Sequence, residues 1–88
     1  MANVAVQVVD KNTNLPVRGA KVALHYSMYR DQMVETIVTG ENGVAIFFNV
    51  IPGSKKLYVD GVLKEDFVLM PSSDFYGFEM GEPIVVAI

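Results

Sequence analysis

Between Gly19 and Arg30 the chain keeps a two-residue rhythm. Ala20, Val22, Leu24, Tyr26 and Met28 fall in one phase, and Lys21, Ala23, His25, Ser27 and Tyr29 in the other. A period of two belongs to a strand whose side chains point alternately to its two faces. The start of the chain repeats it, with Val4, Val6 and Val8 against Asn3, Ala5 and Gln7. Residues suited to a pleated surface also fill 34–39, 44–50, 56–59, 62–70 and 84–88. Glycine or proline interrupts almost every window of helical length, so no helix is sustained. The reading is all-β: seven short strands, mainly antiparallel, in a Greek-key sandwich.

Turn residues set the punctuation. Asp10, Asn12, Thr13 and Asn14 have side chains that bond their own backbone, and Pro16 follows. Arg30-Asp31-Gln32 reads as a polar turn, and Gly40-Glu41-Asn42-Gly43 as a tight hairpin. Pro52-Gly53-Ser54 and Asp60-Gly61 are further breaks. In 62–70, Leu63, Phe67 and Leu69 share a phase that Glu65 interrupts. Residues 71–83 read as one long loop. The last run, Ile84-Val85-Val86-Ala87-Ile88, is continuously apolar, as a central strand or one covered on both faces would be. Left unpaired it would invite aggregation, so it is expected to be hydrogen-bonded within a sheet.

Composition narrows the function classes. With 88 residues the chain has room for one domain, expected over 1–88. The absence of cysteine removes disulfides, thiolate metal sites and cysteine nucleophiles. A net charge of -3 argues against nucleic-acid or anionic-membrane partners, which want clustered Lys and Arg. No apolar run is long enough to span a membrane, and residues 1–4 show no signal-peptide pattern. Two placements follow: a domain excised from a longer surface or extracellular protein, or a cytoplasmic or virion protein as written. The stop inside a strand favours the first.

Two stretches carry a resemblance. Val6-Gln7-Val8-Val9-Asp10 followed by Leu15-Pro16-Val17-Arg18-Gly19-Ala20-Lys21-Val22-Ala23-Leu24 resembles the opening of carboxypeptidase regulatory-like and Cna B-type domains. Thr39-Gly40-Glu41-Asn42-Gly43-Val44-Ala45-Ile46-Phe47, then Asn49-Val50-Ile51-Pro52-Gly53, is similar to their next motif. The likeness covers about two thirds of the chain and implies a prealbumin-like (transthyretin-like, Ig-like) sandwich. Gly19 would supply a backbone conformation that a Cβ disfavours, and Phe47 would fill the core. There are departures. Lys55 stands where such domains usually place an aromatic, and Gly40 where they place Asp. Cna B-type domains often join an early-strand Lys to a last-strand Asn by an isopeptide. No Asn follows Asn49 here, so no isopeptide is expected.

Candidate site residues are few. The hydrolase branch that resembles transthyretin needs several His and Arg and a terminal Tyr-Arg-Gly-Ser. Here there are His25, Arg18 and Arg30, so catalysis is not expected. His25 reads as a solvated surface residue beside Lys21 and Tyr29. Zinc fails for want of ligands. Asp10, Asn12 and Asn14 are weak calcium candidates, better explained by a side-chain turn. The 71–83 segment carries Phe75, Tyr76 and Phe78 among acids, which could stack on sugar rings or dock a partner, or fold over the sandwich as core. The expectation is a non-catalytic structural or spacer module without cofactor, its partners neighbouring domains of the same or another protein. A carbohydrate- or protein-binding module using that loop, and a stand-alone virion or assembly component, are the alternatives.

Overall fold

In the computed structural model the described residues are 2–28, 31–69, 75–76 and 84–88, with side chains at 2, 27–28, 31–33, 69 and 75–76 excepted. They form two sheets and no helix. The strands are β1 (Ala2–Val9), β2 (Lys21–Met28), β3 (Asp31–Val38), β4 (Val44–Val50), β5 (Gly53–Val59), β6 (Val62–Leu69), the two-residue β7 (Phe75–Tyr76) and β8 (Ile84–Ala87). Seven of these are full strands, in agreement with the sequence pattern. The larger sheet runs β3-β2-β5-β6, antiparallel throughout. In the smaller sheet β4 lies antiparallel on one edge of β1, and β7 and β8 share the other edge, both parallel to β1.

The alternation lands as the period demands. Val4, Val6 and Val8 from β1 meet Val22 and Leu24 from β2, Leu57 and Val59 from β5, and Val86 from β8. Phe47 is the largest of these side chains and is fully buried, while Phe48 on the other face of β4 is 62% exposed. Gly19 takes the expected positive φ, 82°.

Several elements differ from the sequence expectation. Asp31 and Gln32 are strand, opposite Met28 and Ser27, so the β2–β3 connection is shorter than a three-residue polar turn. The expected break after β4 is present but confined to Ile51 and Pro52, and Gly53 and Ser54 already open β5 opposite Leu69 and Val68. The Gly40–Gly43 turn does not close a hairpin: β3 belongs to the larger sheet, and β4 crosses to pair with β1. A register shift between Leu57 and Tyr58 moves Leu63 out of phase with Phe67, leaving Leu63 48% exposed. The last strand is hydrogen-bonded within a sheet, as expected, but β1 is its only strand partner among the described residues. Val86 faces the core, whereas Val85 is 54% exposed.

The Asp10 turn is a local device. Asp10 Oδ1 accepts the backbone N–H of Asn12 at 2.8 Å and of Thr13 at 3.3 Å, and Asn14 N–H donates to the Asp10 carbonyl at 2.7 Å. Asn14 sits at φ 61°, which Asn tolerates. Asp10→Ala should cost about 1 kcal/mol, the usual worth of such a side-chain cap. Chemical denaturation would measure it, and an unchanged midpoint would mean the turn holds without the carboxylate.

Candidate functional site

The outward face of the larger sheet carries most of the chain's placed chemistry. Lys21, Ala23 and His25 project from β2, and Lys56 and Tyr58 from the neighbouring β5, because Ala23 pairs with Tyr58 and His25 with Lys56. That register sets the His25 and Tyr58 rings 4.4 Å apart, tilted by 45°. His25 is therefore half-buried against an aromatic instead of freely solvated. Two open hollows flank the pair. One, about 670 Å³, is lined by Lys21, Ala23, Thr36, Asp60 and the two rings. The other, about 310 Å³, is bounded by Lys56 and Asp66 and reaches Tyr26 and Lys55. Among the described residues His25 has the Tyr58 ring as its neighbour and no side-chain hydrogen-bond partner.

Lys55 is the feature that residue-type reasoning missed. It shares the inward phase of β5 with Leu57 and Val59 and is 2% exposed. Its Nζ lies 5.2 Å from the centre of the Tyr26 ring and 3.5 Å from the Ser54 carbonyl, a long hydrogen bond. The ring face attracts the ammonium. Burial nevertheless penalises the charged form and lowers the Lys55 pKa from 10.5. The signal in the sequence was its phase: three inward positions, 55, 57 and 59, of which one is a lysine.

The sign of that shift gives a prediction. Below the folded-state pKa, Lys55 is charged in both states, and the fold carries the whole desolvation cost. As pH rises from the folded value to 10.5 the folded state sheds its proton first, and this group's contribution to stability improves. Lys55→Met should therefore raise the melting temperature at neutral pH and remove the part of its rise that comes as pH climbs from the lowered folded-state pKa towards 10.5. A melting temperature that falls in Lys55→Met would mean that the ammonium has a strong ionic partner.

The remaining sequence candidates separate. Asp10, Asn12 and Asn14 do lie in one turn, but the Asp10 oxygen is occupied by backbone N–H groups. Among the described residues no group of three His, Asp or Glu is placed to hold a metal ion. Phe75 and Tyr76 are not free loop: their backbone adds to β1 beside Asn3 and Val4. Tyr76 stands beside Val4 and Ile84 beside Val6, so two rungs of β1 span eight steps of the chain. Phe78 and the rest of the 71–83 segment lie outside the described residues.

No protein-family model and no curated protein matches the sequence. Solved structures do match the fold. The structure of a streptococcal ancillary pilin superposes with a TM-score of 0.68 at 15% identity, covering 98% of this chain and 28% of the pilin. BcpA, the major pilin subunit of Bacillus cereus, gives a TM-score of 0.60 at 17% identity, covering 100% of this chain and 29% of the subunit. The chain thus has a pilin-like β-sandwich fold and spans less than a third of the length of either neighbour.

Proposed function

We propose that this chain is a non-catalytic structural module of a larger surface or extracellular protein. The observation that carries the reading is one of coverage. Essentially the whole chain superposes on a fraction of each of two pilin structures, so the same sandwich is there one part of a longer protein. The residues agree with it. The described outward face offers one imidazole set against a tyrosine and no metal cluster, and the chain has no cysteine. Its partners are then neighbouring domains or subunits, and its compartment is the cell surface. Neither a ligand-binding role for the 71–83 segment nor a virion role draws support from these neighbours.

Antibodies raised against the purified 88-residue protein test the placement. Labelling of intact source cells before permeabilisation is the expected result. Labelling only after permeabilisation would overturn it, whatever the stability of the fold.

A further inference from the structure

The outward face of the larger sheet gives way at position 23. β2 is a central strand, with β3 on one side and β5 on the other. Ala23 pairs with Thr36 of β3 and with Tyr58 of β5, so one methyl stands between two larger side chains. His25 follows two places along β2 and Lys21 precedes by two, which closes the dent with an imidazole at one end and an ammonium at the other. This is the larger hollow, and its volume of about 670 Å³ falls within the ~300–1,000 Å³ of small-molecule sites. The smaller hollow, about 310 Å³, lies against the same two rings and repeats the chemistry, with the Ser54 hydroxyl and the opposite charges of Lys56 and Asp66.

Around both hollows, ions of opposite sign stand unpaired. Lys56 is directly opposite Asp66 in the ladder, yet among the described residues the one ion pair is Arg18 with Glu41. Asp60 is held in place. Its Oδ1 accepts the Lys21 N–H at 3.0 Å and its own N–H donates to the Lys21 carbonyl at 2.8 Å, which leaves Oδ2 for a ligand. Each hollow thus offers a fixed donor, a fixed acceptor and a hydroxyl that can be either, beside an aromatic surface.

That inventory selects the ligand. An apolar molecule would strip water from Lys21 and Asp60 and return no hydrogen bond. An ion of either sign would meet one like charge for each opposite one. An extended peptide adds to a sheet by its edge, and both edges of β2 are already paired. A neutral sugar meets every demand. Its hydroxyls accept from an ammonium and donate to a carboxylate, and its C–H face packs on a ring and a methyl. We propose that the outward face of the larger sheet is a carbohydrate site, taking a neutral oligosaccharide of two or three units laid across the His25–Tyr58 pair from one hollow to the other. The hollows are open, so the ligand stays partly in water and binds weakly, with a Kd of about 0.1–10 mM. The site adds a binding function to the fold, and it stands whether or not the chain is a module of a longer protein.

The test titrates the 88-residue protein with cellotriose, maltotriose and triacetylchitotriose to about 20 mM, read by amide NMR shifts. At least one of the three should move the amides of residues 21–25, 36 and 54–61 and leave β1 and β4 unmoved. Ala23→Leu, which fills the larger hollow, and Tyr58→Ala, which removes a ring, should each weaken that binding about tenfold or more. Both variants are checked for a native amide spectrum first. Phe48→Ser, on the other sheet, should leave the binding unchanged. No response to any of the three sugars would overturn the proposal, as would shift changes on the smaller sheet or binding that survives Ala23→Leu. A stronger response to trigalacturonate or to a capped alanine tripeptide would overturn it too, by making the site one for acids or for peptides.

Discussion

Gly43→Ala should lower the melting temperature by about 12–32 °C, whereas Gly61→Ala should lower it by only about 4–16 °C. Both residues sit at positive φ, 73° and 84°, where a Cβ costs about 1–2 kcal/mol on its own. They differ in what surrounds them. A Cβ on Gly61 would meet nothing within 4 Å. On Gly43 it would stand 2.6 Å from the Val8 carbonyl oxygen and 3.0 Å from the Val17 amide nitrogen. Neither atom can swing aside. Gly43 carbonyl accepts the Val8 N–H at 2.8 Å, and the Val8 carbonyl accepts the Val17 N–H at 2.8 Å. The intruding methyl must push β1 away from both neighbours. That adds at least about 2 kcal/mol to the backbone strain. Equal losses at the two glycines would show that the backbone yields and the close approach is not a constraint.

Gly43 also shows what a short turn motif can and cannot specify. Asn42-Gly43 announces a chain reversal, and the reversal is there. The strand that follows, however, pairs with β1, some forty residues earlier, not with β3. Turn chemistry is local and sheet membership is not. The same limit explains the last strand. A continuous apolar run reads as central because central strands are buried on both faces. Here β8 is apolar on both faces while β1 is its one strand partner among the described residues, and no strand of the smaller sheet carries a charged residue.

Where long-range partners were not needed, the sequence was legible. The phases of β1 and β2 follow from alternation alone, as do the opposite fates of Phe47 and Phe48. Leu63 shows how one register shift defeats the count. The phase holds from Phe67 back toward Asp66, then slips where β6 bulges against Leu57 and Tyr58. In the candidate site, the outward phase of His25 was readable but its contact with Tyr58 was not, since that depends on β2 lying against β5. Lys55 was visible as a departure from the resembling domains. Its burial required knowing that position 55 faces inward, which its neighbours Leu57 and Val59 indicate.

Thr39→Val should cost about 2–6 kcal/mol, and Thr39→Ser should recover most of it. Thr39 is 2% exposed and stands just past β3, where the chain leaves the larger sheet. Its Oγ1 accepts the Ala20 N–H at 3.0 Å and donates to the Val17 carbonyl at 2.6 Å. Its own backbone closes the arrangement: Thr39 N–H donates to the Ala20 carbonyl at 2.9 Å, and its carbonyl accepts the Gly19 N–H at 3.0 Å. One side chain thus ties the entry of β2 to the exit of β3. Valine keeps the shape and removes both hydroxyl bonds, leaving a backbone donor and a backbone acceptor without their partner in a dry place. Each such loss costs about 1–3 kcal/mol. Serine keeps the oxygen and gives up a methyl, worth about 1 kcal/mol. Denaturation midpoints of the two variants decide the matter. If valine is tolerated as well as serine, water reaches Ala20 and Val17, and the hydroxyl is a convenience of the turn, not the clasp that holds it.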